Sequence, residues 1–186
     1  MAALKIKSPV REETVKKLKV GTKVLISGVI YVARDSAHKR LVEALDKGEK
    51  LPFDVKGQTI FYMGPSPARP GQPIGASGPT TSSRMDAFTP RLLENGLRVM
   101  IGKGERSQSV RDAIRKYNGV YLVTLGGAGA LLAKTVQKSD LVAYPDLGAE
   151  AIIRLEVEDF PAIVADDIYG GDLFEEEKAK YRKVSV

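Results

Sequence analysis

The sequence predicts a single α/β domain with a β-rich N-terminal part, on three observations. The chain has 186 residues, enough for one hydrophobic core and too few for two comfortable ones. Its 43% hydrophobic and 28% charged residues are those of an ordinary globular protein. After Gly96 the pattern alternates through two consecutive β-then-α units, which argues for parallel strands with helices packed on the sheet.

The elements follow in order. Ser8-Pro9 ahead of residues 10–18 reads as a capped helix, since proline is tolerated at the first helical position, and Gly21 stops it. The run KVLISGVIYVA over 23–33 is β-branched and aromatic, hence a strand, with Gly28 marking a bulge or bend. Residues 36–47 put Ala37, Leu41, Ala44 and Leu45 on one helical face, with Asp35 or Ser36 as N-cap and Gly48 as the stop. A strand over 59–63 leads into a proline- and glycine-rich segment, 64–83. A structureless stretch of that length inside a domain is usually functional or disordered, and the functional reading is preferred because it ends in a dense polar cluster. Then come a helix over 88–95, a strand over 98–101, a helix over 107–117, a strand over 120–125 and a helix over 128–136. Two short strands, 151–157 and 162–164, precede a charged tail, 175–183, read as a solvated helix.

Composition excludes several chemistries. The chain has no cysteine, so it forms no disulfide, thiol nucleophile, thiolate zinc site or cysteine-held cluster of its own. The one histidine, His38, excludes an all-histidine site, and no metal-ligating residue is assigned. No apolar run reaches signal-peptide or membrane-spanning length, so the expectation is a cytoplasmic location without a membrane partner. The net charge of +6 suits an anionic partner, but 6% aromatics and no tryptophan argue against nucleic acid and for small anions.

Three segments are candidates for chemistry. Gly78-Pro79-Thr80-Thr81-Ser82-Ser83-Arg84-Met85-Asp86 sets four hydroxyls, a guanidinium and a carboxylate in one run. Hydroxyls and an arginine fork suit carboxylate recognition, and a Ser/Thr turn capping the next helix is an equal reading of the residues alone. Gly102-Lys103-Gly104-Glu105-Arg106 follows a strand and precedes a helix; Lys103 offers a point charge, although a tight turn with exposed charges explains the run as well. Gly126-Gly127-Ala128-Gly129 has the setting of a dinucleotide turn, but Leu132 stands where close helix packing wants a small residue, so a structural turn is preferred. Arg34, at a strand end opening onto a helix N-terminus, is placed to meet an anion. His38 receives no role, and the aspartates 166, 167 and 172 read as turn chemistry.

Taken together, Ala33-Arg34-Asp35-Ser36-Ala37-His38-Lys39-Arg40, the 78–86 run and Gly102-Lys103-Gly104 resemble, in order and spacing, the C-terminal domain or separate β subunit of class I fumarases and tartrate dehydratases. The resemblance covers about residues 23–173, leaving 1–22 as an N-terminal helix and leading segment and 174–186 as a charged tail. It implies a swivelling β/β/α fold. It also implies a cysteine-bearing α subunit that carries a four-iron, four-sulfur cluster, with none bound by this chain alone, and thus a hetero-oligomer.

By the same resemblance Arg34, Arg84 and Lys103 are cationic ligands of a small dicarboxylate, Thr81 is a hydroxyl donor and Thr80 is the base at carbon 3. The cluster's open iron would act as Lewis acid on the carbon 2 hydroxyl. The implied reaction is reversible hydration of fumarate to L-malate, with L(+)-tartrate dehydration as the alternative. The rival of another class is a stand-alone phosphate- or nucleotide-binding module built on Gly126 to Gly129.

Overall fold

The computed structural model describes residues 2–183. Its elements are β1 (Leu4–Ser8), α1 (Glu12–Val15), β2 (Lys23–Val32), α2 (Asp35–Asp46), β3 (Thr59–Phe61), α3 (Thr89–Glu94), β4 (Val99–Gly102), α4 (Gln108–Tyr117), β5 (Val120–Val123), α5 (Gly129–Ala133), β6 (Val136–Ala143), β7 (Ile152–Asp166) and α6 (Leu173–Tyr181). Two 3₁₀ segments, Ser82–Met85 and Pro145–Glu150, lie in the connections.

All seven strands share one sheet, and that sheet closes on itself. Strands β2, β3, β4 and β5 run parallel in that order, β7 lies antiparallel to β5, and β7 also pairs antiparallel with β2. The five strands form a ring, with β1 added beside the first half of β2 and β6 beside the first half of β7. The rung Val32, Phe61, Ile101, Leu122, Val164 does not return to Val32. It ends on the carbonyl of Thr22, which accepts from the Val164 amide at 3.0 Å. This stagger is the shear that lets tilted strands close into a barrel.

Strand periodicity sorts side chains into two cores. Ile26, Ile30, Val32, Phe61, Ile101, Leu122, Phe160 and Val164 belong to the buried cluster that fills the ring. Their neighbours Ile60, Tyr62, Met100 and Tyr121 belong to a second cluster with Ala37 and Leu41 of α2, Leu92 and Leu93 of α3, and Val110 and Ile114 of α4. Strands buried on both sides explain the near-continuous apolar runs in the sequence.

Several elements differ from the sequence expectation. The helix expected over 10–18 is one turn, Glu12–Val15, and the residues before it form β1, whose alternation of lysines with Leu4, Ile6 and Ser8 is too short to stand out. The helix expected over 128–136 ends at Ala133, and β6 was not anticipated because most of its residues are polar or half-exposed. The two strands expected at 151–157 and 162–164 are one long strand. Asp159, at φ 50°, makes the irregularity that suggested a break, and its amide donates to Ser27 Oγ at 3.0 Å. The parallel β4–β5 pairing, the irregular 64–83 segment and the bulge near Gly28 match expectation.

Gly28 has φ +103°, and a Cβ there would stand 2.4 Å from the Ser8 carbonyl oxygen of β1. Gly28→Ala is therefore expected to destabilise the chain by about 2 kcal/mol or more, through both backbone strain and displacement of β1. The urea unfolding midpoint measures this; a midpoint unchanged from wild type would show that β1 yields freely.

Candidate functional site

The carboxyl ends of β2, β3 and β4 lie side by side, the position at which open α/β sheets hold ligands. From β2 the chain passes through Ala33 and Arg34 directly into α2. From β3 it leaves on the long loop, then comes back to the same rim. Pro79 bridges Met63, the Thr80 amide donates to the Tyr62 carbonyl at 2.8 Å, and Thr81 bridges Lys103 just beyond β4. The Ser82 amide donates to the Lys103 carbonyl at 2.9 Å, and the Lys103 amide donates to Ser82 Oγ at 3.1 Å. A Cβ at Gly102 would lie 1.9 Å from Ser82 Oγ, so this approach requires glycine.

Arg106 and Asp86 lock the two turns together. The Arg106 side chain has no exposed surface; Nε donates to Asp86 Oδ1 at 2.7 Å and Nη2 to Thr89 Oγ1 at 2.8 Å. Its guanidinium carbon lies 5.3 Å from the Tyr62 ring centre and 4.8 Å from that of Tyr121, within cation–π range. The second Asp86 oxygen accepts the Ser107 amide at 2.7 Å at the start of α4. The Tyr121 hydroxyl lies 2.8 Å from both Ser82 Oγ and the Gly104 carbonyl oxygen, and its burial raises its pKa.

A second set of ion pairs draws two site arginines together. Asp35 Oδ1 accepts Arg84 Nε at 2.8 Å, and Asp35 Oδ2 lies 3.8 Å from Arg34 Nε. Arg34 Nη2 donates to Glu150 Oε1 at 3.0 Å, and Glu150 Oε2 accepts the Ser36 amide at 2.9 Å. The helix N-terminus expected to attract an anion thus holds a carboxylate of the chain itself. Helix α2 begins at Asp35, so Arg34 occupies the cap position expected of Asp35 or Ser36.

Beneath Arg34, His38 is completely buried. Its Nδ1 lies 2.9 Å from the Arg34 carbonyl, which can only accept, so Nδ1 carries the proton. Nε2 has no hydrogen-bond partner among the described residues. Burial, with the Arg34 carbonyl opposing it and Arg106 reinforcing it, pushes the His38 pKa down to about 4. His38 is a neutral support for the Arg34 backbone.

All five residues singled out from the sequence therefore sit on one rim: Arg34 on the β2–α2 junction, Thr80, Thr81 and Arg84 on the returning loop, and Lys103 after β4. Thr81, Arg84 and Lys103 are exposed, and Arg34 and Thr80 half-buried, so the face is open. Ser82 and Arg106 lay inside the candidate segments without a role of their own, and Tyr121 and Glu150 were given none. Arg106 looked like one more exposed charge in its turn; only the ring brings Tyr62 and Tyr121 around it. The Gly126 to Gly129 segment is a structural turn whose Gly129 carbonyl accepts the Ser77 amide at 2.9 Å, behind the site loop.

The donor set does not fit an iron–sulfur cluster. The chain contains no cysteine, and among the described residues no group of three His, Cys, Asp or Glu side chains is arranged for a metal ion. Asp167 instead accepts the Val20, Tyr169 and Gly171 amides, and Asp172 caps α6 and receives Arg111 at 2.6 Å. Asp166, buried nearby, has its pKa raised to about 7, chiefly by burial and then by Asp172.

Comparison with known proteins adds a family pattern. The family model described as fumarase C-terminus matches residues 1–177. The chain is 44% identical over 159 residues to the anaerobic class I fumarate hydratase of Escherichia coli K12, covering 84% of this chain and 29% of that protein. It is 41% identical over 157 residues to fumarate hydratase 2 of Leishmania major, covering 83% of this chain and 28% of that one. It thus spans under a third of those fumarate hydratases. A protein of Methanocaldococcus jannaschii, provisionally named L(+)-tartrate dehydratase subunit beta, is 39% identical over 181 residues and is covered along 93% of its length.

Because the folded pKa of His38 is depressed from 6.5 to about 4, its contribution to stability is present above pH 6.5 and lost as pH falls through 4. Asp166 acts with the opposite sign: its raised pKa favours the fold below the ordinary aspartate pKa of about 4, and that contribution is lost as pH rises toward 7. Comparison with His38→Asn, which keeps a donor for the Arg34 carbonyl, cancels the Asp166 effect. The stability advantage of wild type over the variant should shrink by about 3 kcal/mol between pH 7 and pH 4. Denaturant unfolding at both pH values measures it, and a constant difference would mean that His38 protonates normally.

Proposed function

This chain belongs to the fumarase C-terminus family, and we propose that it is the β subunit of a hydro-lyase, holding a small dicarboxylate while water is added or removed across its central carbons. The observation that carries this reading is the convergence of Arg34, Arg84 and Lys103, with Thr80 and Thr81, on the rim formed by β2, β3 and β4. Fumarate and L-malate are the first substrate pair, in keeping with the fumarate hydratases at 41–44% identity. L(+)-tartrate is the second, favoured by the relative that this chain matches along 93% of its length.

In this reading Arg84 grips one carboxylate two-pronged, since its Nε is bonded to Asp35, its side chain is half-exposed and its terminal nitrogens have no hydrogen-bond partner among the described residues. Arg34 and Lys103 add single charges. Removing the carbon 3 proton places further negative charge beside a carboxylate, so fixed cations stabilise that transition state more than the ground state. Thr80 receives the proton, at a position set by its backbone bond to Tyr62. A threonine hydroxyl is a weak base unless a second group takes its proton in turn, so an acceptor outside this chain completes the relay.

The chain's own residues supply no thiolate, so the four-iron, four-sulfur cluster of this reading belongs to a cysteine-bearing α subunit in a hetero-oligomer. The closed ring with α2, α3 and α4 packed on one side is compatible with a swivelling β/β/α domain over 23–173, and no described helix is long and apolar enough to cross a membrane. A cytoplasmic location is part of the same proposal.

The test is anaerobic reconstitution with the cluster-bearing partner, followed by assay on fumarate, L-malate and L(+)-tartrate. Arg84→Lys keeps the charge but loses the fork, and is expected to lower kcat/KM by about 30-fold or more; near-normal turnover would remove Arg84 from the site. Thr80→Ala should reduce kcat by about 100-fold or more with the complex still assembled. A fully active Thr80→Ala complex would leave this chain a structural subunit.

A further inference from the structure

We infer that Glu150 is a positioning residue for Arg34, holding its guanidinium in the one plane from which it meets the substrate carboxylate. The inference rests on the reading of Arg34 as a carboxylate ligand. Arg34 is a long side chain on an open rim, and without a brace it would sample many rotamers, each lost on binding. Among the described residues Glu150 is its one hydrogen-bonding partner: Nη2 donates to Oε1 at 3.0 Å, whereas Nε is buried without a partner and Asp35 Oδ2, at 3.8 Å, is too far to bond.

The brace is itself fixed. Glu150 Oε2 takes the Ser36 amide at 2.9 Å, two residues along the backbone from the arginine it holds, so one carboxylate ties the Arg34 guanidinium to its own helix start. Partial burial pushes the Glu150 pKa up, but the Ser36 hydrogen bonds and the charges of Arg34 and Arg84 outweigh it and hold it below the usual glutamate range. The carboxylate is ionised throughout the neutral range. Glu150 ends the Pro145–Glu150 segment, which is anchored by Arg40, paired with both Asp146 oxygens at 2.9 and 2.5 Å and lying over the Tyr144 ring at 5.0 Å.

The guanidinium also passes close over a backbone without a side chain. A Cβ at Gly64 would stand 2.4 Å from Arg34 Nη1 and 3.2 Å from the Ala149 carbonyl oxygen. Glycine at 64 and glutamate at 150 thus confine one group between the exits of β3 and β6. Most exposed ion pairs contribute little because both partners are mobile. Here the acceptor's second oxygen is bonded to backbone, and only the arginine has freedom to lose.

The experiment is a double-mutant cycle in the reconstituted complex, read as KM and kcat for the dicarboxylate and as the dissociation constant of succinate, a non-reacting dicarboxylate. Glu150→Gln keeps the shape and an acceptor for Ser36 but removes the charge. It is expected to raise KM and the succinate constant about tenfold and to lower kcat by no more than about threefold, because Arg34 keeps its charge beside the substrate and loses only its fixed placement, a loss felt in the ground state as well as in the transition state. In an Arg34→Ala background the same substitution should add nothing, whereas a merely structural role would multiply the losses. Either multiplicative losses or an indifferent Glu150→Gln overturns the inference, as does tighter succinate binding, which would mean that Glu150 competes for the substrate's place. If Glu150→Gln fails to assemble, Glu150→Asp, which keeps the charge on a shorter stem, is read on the same axes. An inactive wild-type complex sinks the hydro-lyase reading itself; an active wild type with an indifferent variant sinks only Glu150.

Discussion

The ion pair between Arg106 and Asp86 is the contact on which the site face depends. A guanidinium without exposed surface costs several kcal/mol unless its charge is matched, and here one carboxylate, one hydroxyl and two ring faces match it. Asp86 closes the segment carrying the hydroxyls and Arg84, and Arg106 closes the turn carrying Lys103. Neither turn can settle with a buried charge unpaired, so each is stable in the presence of the other. The spacing between Arg84 and Lys103 is thus set by a buried pair to which neither of them belongs.

Behind that pair stands ring closure. Parallel strands deliver their carboxyl ends to one rim, and the stagger of the barrel lets β2, β3 and β4 present three successive exits to the same space. The loop leaving β3 packs against the turn before α5, where the Gly129 carbonyl accepts the Ser77 amide, and returns to pair with its own strand exit at Met63 and with Lys103. Its prolines and glycines allow irregular backbone, and Gly102 admits Ser82 where a side chain would block it. Irregularity in this loop serves a defined docking onto β4.

Much of this was legible in the sequence, for reasons that differ by element. Helices α2 and α4 announced themselves by periodicity, and β2 by its β-branched run, because each is fixed by local pattern. Arg34, Thr80, Thr81, Arg84 and Lys103 were singled out because they fall in short motifs that resemble a family pattern, and the structure places all five on one rim. Ring closure was not legible, since the β2–β7 pairing joins residues far apart in the chain and no periodicity encodes a partner. Arg106 and Glu150 were missed for the same reason: a charged residue looks solvated until long-range pairing surrounds it. The Asp159 kink hid a continuous strand because one positive-φ residue resets the alternation on which strand reading relies.

The carboxylates threaded among the cations also decide how the face meets its ligand at a distance. Arg34, Arg84 and Lys103 set against Asp35 and Glu150 leave a single positive charge, which the dicarboxylate proposed above would turn into a single negative one. A small net charge projects a weak field, so added salt removes little attraction and long-range steering contributes little to encounter. On the hydro-lyase reading, selection would fall to contact geometry, and a polyanion such as nucleic acid would find no deep positive well. Such a face would tell its ligands apart by shape more than by charge.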